Sequence, residues 1–141
     1  MNSTAYRLSA ILFLAGLTTT VACSDDGPEG PEGTYAATEL ILSEDGDETD
    51  LLAAGTELTI TLTAAGTTTG TLVVPAEFTE SGTEETFSLE GTYDYDEDTG
   101  VVTFDHDADT FIRDTDWTLD GDELQGSFVD GTTSVTATLV R

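Results

Sequence analysis

Residues 57–74 read ELTITLTAAGTTTGTLVV. The first part alternates without a break: Leu58, Ile60 and Leu62 fall on one side, Thr59, Thr61 and Thr63 on the other. Successive side chains of a strand point to opposite faces, so this is a strand with one buried and one wet face. The AAGTT that follows is short enough to be a hairpin loop, and Thr69–Val74 returns from it.

The same pattern extends in both directions. Thr34–Leu42 precedes it as a first strand. Thr86–Tyr95 puts Phe87, Leu89, Gly91, Tyr93 and Tyr95 on one face, and Gly100–Phe104 comes back across DEDTG. Thr110–Leu119 carries Phe111, Arg113, Thr115, Trp117 and Leu119 on one face and Ile112, Asp114, Asp116 and Thr118 on the other. Asp120-Gly121 turns into Glu123–Val129, and Asp130-Gly131 into Ser134–Val140. No segment after Gly33 shows a helical apolar period. That makes eight strands, nearly all joined by short hairpin loops.

An open sheet of such strands would need helices over its apolar face and would leave two edges unpaired. Closing it removes both edges. The expected fold is all-β: an eight-stranded antiparallel up-and-down β-barrel over residues 33–141. With eight strands the interior is either filled by side chains or holds one small ligand. The longest link, Ser43–Thr56, has room for a helical turn at TDLLAAG, where Leu51 and Leu52 are expected to plug a barrel end.

The segment before the barrel is of another kind. Leu8 to Leu17 is an apolar run that follows Arg7. At about 10 residues it is half the length of a membrane-spanning helix and fits the core of a secretory signal. It leads to Thr20-Val21-Ala22 and then to Cys23, the only cysteine. This resembles the lipobox of bacterial lipoproteins, with Thr20 where that pattern prefers Leu. The resemblance implies that 1–22 is a lipoprotein signal peptide and that Cys23 becomes the lipidated N-terminus. It further implies a cell-envelope location, with Ser24 pointing to the outer rather than the inner membrane. Two or more acyl chains make a stable anchor where one does not. The alternative is an ordinary secretory peptide with an incidental thiol. Residues 23–32 contain SDDGPEGPE, which offers nothing to a core and reads as a flexible tether.

Charge excludes one large class of function. The chain has 3 Lys+Arg against 29 Asp+Glu and no lysine, and beyond the signal its cations are Arg113 and Arg141. Such a surface repels nucleic acid. The acidic, lysine-free, threonine-rich composition resembles proteins of salt-loving organisms; cation capture is the rival explanation.

The domain itself resembles the lipocalin-like domains of bacterial lipoproteins. Gly33-Thr34-Tyr35 opens the first strand, where lipocalins have Gly-x-Trp; LEGTYDYDEDTGVVTF repeats a Gly-Thr-Tyr start; and WTLDGDELQGSF leads to a last strand ending in Arg141. The resemblance implies that Arg141 packs over the aromatic ring of Tyr35 and closes the barrel bottom.

Few residues offer chemistry. Asp94, Asp96 and Asp98 open like a calcium loop, but Gly100 comes one residue late and no closing glutamate follows. They are weak metal candidates against a plain hairpin turn. His106 sits between Asp105 and Asp107, in a stretch read as a solvated loop rather than a metal site. No nucleophile–base pair stands out, so enzymatic activity and cofactors are not expected. Arg113 shares its predicted face with Phe111 and Trp117. If that face points inward, Arg113 needs a buried partner such as Asp105, Asp107 or Asp109, or it anchors a ligand carboxylate. Phe111, Arg113, Trp117 and Tyr93 are thus the candidate ligand-binding residues. The expected protein is a monomeric, non-enzymatic, lipid-anchored barrel. Its expected partners are the membrane, through its lipid, and a small apolar or amphipathic ligand. The alternative is a filled barrel acting as an interaction module, for instance an inhibitor of a basic enzyme.

Overall fold

Alternating threonine and aliphatic residues, broken by glycine and aspartate, give strands and tight turns almost throughout. The computed structural model describes residues 30–141; the expected signal peptide, Cys23 and most of the expected tether lie outside the described residues. The strands are β1 (Gly33–Glu44), β2 (Asp47–Asp50), β3 (Glu57–Leu62), β4 (Thr67–Val74), β5 (Glu85–Ser88), β6 (Gly91–Asp96), β7 (Val101–His106), β8 (Trp117–Asp120), β9 (Glu123–Asp130) and β10 (Thr133–Val140). A 3-10 turn at Ala76–Phe78 follows β4.

Eight of these strands close a ring, in the order β1, β3, β4, β6, β7, β8, β9, β10 and back to β1. Every pairing is antiparallel and joins strands that follow one another around an up-and-down barrel, as expected. Two short strands are additional. The first, β2, pairs with the far end of β1 at Ile41–Glu44, and β5 pairs with β4 at Thr71–Val74.

Closure depends on a bulge. Ala37 pairs with Leu139 and Glu39 pairs with Thr138, so Thr38 is an extra residue in β1. An extra residue shifts the side-chain alternation by one. Tyr35 is fully buried before the bulge and Leu40 after it, although they lie an odd five positions apart. A strand without the bulge would turn one of the two outward. The Thr38 hydroxyl donates to the Thr138 carbonyl, 3.3 Å away, across the irregularity.

The interior is a single apolar cluster. Tyr35, Leu40, Ile60, Leu62, Leu89, Val102, Ile112, Trp117, Leu124 and Leu139 are essentially inaccessible to solvent. Two predicted strands differ from those observed. Thr86–Tyr95 is interrupted at Leu89–Glu90, which separates β5 from β6; the Leu89 N–H leaves the ladder to donate to the Gly70 carbonyl at 3.0 Å. Thr110–Leu119 is a strand only from Trp117. Before that the chain folds into turns, with the Arg113 N–H donating to the Thr110 carbonyl at 3.1 Å and the Thr115 hydroxyl to the Phe111 carbonyl at 2.7 Å. This local bonding replaces strand pairing. It also exchanges two of the expected directions, since Ile112 is buried at 1% exposure while Arg113 lies at the surface; Thr115 and Trp117 point inward as expected.

Candidate functional site

The barrel has two unlike ends. At the end where β1 begins, Arg141 leaves β10 and crosses the opening. Its guanidinium stands 5.5 Å from the centre of the Tyr35 ring. Nη1 donates to the Gly30 carbonyl at 3.0 Å and to the Glu32 carbonyl, Nη2 donates to the Gly121 carbonyl at 3.2 Å, and Nε and Nη2 both reach Asp122 Oδ1. The Tyr35 hydroxyl donates to the Pro31 carbonyl at 2.9 Å. Burial pushes the Tyr35 phenol up, partly opposed by the nearby Arg141 charge. Gly33 makes the arrangement possible: at φ 146° it holds a backbone shape that favours glycine, and a Cβ there would lie 2.3 Å from Arg141 Cδ.

The middle of the barrel is packed. Trp117 is 1% exposed, and its indole N–H donates to the Ile112 carbonyl at 3.1 Å. It meets Phe104 edge-on at 6.2 Å and Phe111 at 6.4 Å between ring centres. Gly126 lies opposite Trp117 in the ladder, and a Cβ there would come within 2.9 Å of the indole. Tyr93 is half-buried near the closed end; its hydroxyl donates to the Thr63 carbonyl at 2.8 Å, and burial raises its phenol as well.

His106 lies inside this packed region and not in a solvated loop. It is the last residue of β7 and is 3% exposed. The Thr68 hydroxyl donates to the Leu89 carbonyl at 2.8 Å, so toward His106 Nε2, 3.1 Å away, it acts as acceptor. That network assigns the proton to Nε2. Nδ1 is buried without a partner. The ring stacks on Phe104 at 5.4 Å. Burial pulls the imidazole down, Asp105 opposes this, and Arg113 adds to it. Alternation along Val102, Phe104 and His106 carries the signal for this inward direction, but the predicted strand stopped at Phe104.

The other end of the barrel is open and apolar. Leu40 and Leu42 of β1, Leu72 and Val74 of β4, and Val135 of β10 line a cleft of about 180 Å³, together with Leu51, Thr56, Phe78 and Phe111. Leu51 is positioned by the turn between β2 and β3: its N–H donates to the Leu40 carbonyl, and its carbonyl accepts from the Thr56 N–H, both at 2.9 Å. The Asp50 carboxylate accepts from the Ala53 N–H at 3.1 Å and holds that turn. Leu51 thus forms part of the wall at this barrel end and does not close it. Thr56 is 4% exposed, and its hydroxyl has no hydrogen-bond partner. A larger depression of about 490 Å³ lies on the outer wall, but it is polar and lined by residues such as Glu39, Asp116 and Gln125.

Of the four ligand-binding candidates, Phe111 alone lines the apolar cleft. Arg113 does not enter the barrel. It pairs at the surface with Asp109 and, at 3.0 Å, with Asp114, and these partners raise its already high pKa. Asp94, Asp96 and Asp98 do not converge. Asp96 Oδ1 instead accepts from the N–H groups of Asp98 and Thr99 at 2.9 and 3.2 Å, a bond pattern internal to the β6–β7 turn. Among the described residues, no group of three or more His, Cys, Asp or Glu side chains is placed to hold a metal.

No protein-family model, curated protein or solved structure matches this chain. The fold and the two barrel ends therefore stand on the chain's own geometry.

Proposed function

We propose that this protein is a non-enzymatic, lipid-anchored component of the cell envelope that binds a small apolar ligand at the open end of its barrel. The cleft between Leu40, Leu51, Leu72 and Phe111 is the observation that carries this reading, because it is the apolar opening of an otherwise packed interior. Apolar pockets with a few polar groups are where small ligands bind. The packed middle supports a ligand seated at the mouth rather than threaded through the barrel. The non-enzymatic reading is supported by His106, whose imidazole is buried and bonded to Thr68. The anchor rests on the lipobox-like Thr20–Cys23.

Two measurements test this. Intact-mass analysis of the membrane fraction should find the chain beginning at Cys23 with acyl groups attached, and Cys23→Ser should abolish the lipid. A mature wild-type protein free of membrane with an unmodified thiol would refute the anchor. A panel of small apolar probes should raise the melting temperature of the protein; a panel with no effect would refute ligand binding.

A second reading is favoured by the filled interior together with the excess of carboxylates. In it the barrel is a rigid acidic surface that docks a basic envelope partner, such as an attacking hydrolase. Binding to a cationic enzyme that weakens steeply with salt would select it.

A further inference from the structure

We infer that the Arg141 end of the barrel is the surface that faces the membrane carrying the protein, and that the apolar mouth opens on the opposite side, into solution. This orientation rests on the lipid anchor proposed above and holds whatever the mouth binds.

Up-and-down winding sorts the connections between the two ends. β1 begins at the Arg141 end and runs to the mouth, where Leu40 and Leu42 line the cleft. The turns at residues 63–66, 97–100 and 121–122 therefore lie with Arg141, and those at 45–46 and 131–132 lie at the mouth. Arg141 Nη2 bonds the Gly121 carbonyl directly. The chain also enters the fold at this end. The Gly30 and Glu32 carbonyls accept from Arg141 Nη1, and Pro31 is buried with its carbonyl accepting from the Tyr35 hydroxyl.

Reach decides the orientation. Residues 23–29, seven in number, join the proposed lipid to this fixed entry point. Even fully stretched they span about 25 Å. β1 has 12 residues. At about 3.3 Å per residue and a tilt of about 40°, such a strand carries the chain about 28 Å along the barrel axis. A chain anchored at Cys23 therefore falls short of the rim of the mouth, and the mouth cannot be turned onto the bilayer.

The bonds from Arg141 and Tyr35 set this limit. Without them residues 30–32 would join the tether and lengthen its reach to about 35 Å, more than the barrel is tall. The contacts that close the barrel bottom thus also keep the mouth from the membrane. Glu32, Glu97, Asp98 and Asp122 belong to the membrane-facing end, so a zwitterionic surface suits it better than an anionic one. A molecule that enters the mouth arrives from solution and not from the anchoring bilayer.

The test uses the mature acylated protein, methyl-labelled for NMR, in phosphatidylcholine nanodiscs doped with a gadolinium-headgroup lipid. The methyl groups of Ala64 and Ala65, in the turn between β3 and β4, should relax strongly. Those of Leu42, Val74 and Val135 should relax no more than in undoped discs. A long Gly-Ser insertion between Glu29 and Gly30, outside the barrel, should abolish the contrast between the two ends. Mouth methyls relaxing as strongly as Ala64 and Ala65 in the wild type, or a contrast that survives the insertion, overturns the orientation and leaves the anchor standing. An intact mass with no acyl group on Cys23 overturns both.

Discussion

The guanidinium of Arg141 lies 5.5 Å from the centre of the Tyr35 ring and bonds the carbonyls of Gly30 and Glu32, so the last residue of the barrel fastens the first strand. The contact combines a cation–π term with charged hydrogen bonds to backbone groups that would otherwise be solvated. Arg141→Ala should lower unfolding stability by about 2–3 kcal/mol. Tyr35→Ala, which empties a fully buried site, should lower it by about 3–5 kcal/mol. The double variant should fall short of the sum by about 0.5–2 kcal/mol. Urea unfolding of the four proteins checks this; full additivity would mean that the two side chains do not act together.

Arg113 provides the contrast. Its ion pairs lie at the surface, and exposed pairs contribute little. Arg113→Gln should leave the thermal midpoint unchanged, where Arg141→Gln lowers it clearly. Equal losses from the two would mean that Arg113 has a structural role its position does not reveal.

His106 makes stability depend on pH. Its folded-state pKa is lowered, chiefly by burial, so the folded protein resists protonation while the unfolded chain accepts a proton near the ordinary value of about 6.5. Above that value the group has no effect on stability. As pH falls below it the unfolded state binds more protons and stability is lost, until the folded pKa is reached and the loss levels off. Asp105 opposes this shift and Arg113 reinforces it. Denaturant midpoints taken from pH 7.5 to 5 should fall in wild type relative to His106→Asn. Parallel curves for the two would refute the assignment.

Trp117 lies against a glycine because no larger residue fits there. Gly126→Ala would bring a methyl group within 2.9 Å of the indole and 2.8 Å of Thr115 Cγ2. Overpacking of this kind costs about 1–3 kcal/mol. Trp117→Leu in the same chain should recover part of that loss, which a double-mutant cycle in urea would measure. A Gly126→Ala protein as stable as wild type would mean that the barrel wall yields at this point.

The excess of carboxylates predicts a response to salt. From Cys23 onward, twenty-nine acidic residues face two arginines. Molar sodium chloride shortens the reach of their mutual repulsion to about 3 Å. The melting temperature should rise steadily from dilute buffer to molar salt. A flat response would argue against salt adaptation as the reason for the composition.

Strand existence was largely legible from residues 57–74 outward, because Leu58, Ile60 and Leu62 alternate with threonine and the turns are marked by glycine. Closure followed from the lack of helices. Three features were not legible. The bulge at Thr38 leaves no mark in TYAATELIL, since it is set by the partner strand's register and not by local preference. Thr110–Trp117 alternates like a strand, yet the Thr115 and Trp117 side chains bond back to the Phe111 and Ile112 carbonyls and fold it locally. That override displaced Arg113, and with it the reading of a cation inside the barrel. The cleft was invisible for a related reason. Thr56 stands in a long link, and the cleft it lines is completed by Leu72, Val74 and Phe111, which come from distant parts of the chain.

The pairing of β1 bears on when the protein can fold. β1 is the first barrel strand to leave the ribosome, and it pairs with β3 only from Gly33 to Ala36. With β10, the last strand of the barrel to be made, it pairs from Ala36 to Glu44. Its longest ladder thus waits for a partner about a hundred residues downstream, and the loop-closure entropy falls due before the contacts are gained. The order of synthesis therefore works against premature closure: until the final strand and Arg141 have emerged, the N-terminal half is a set of hairpins without a seam. If the chain is exported as proposed, it would gain from that delay, because it must be threaded unfolded through a membrane before it acts.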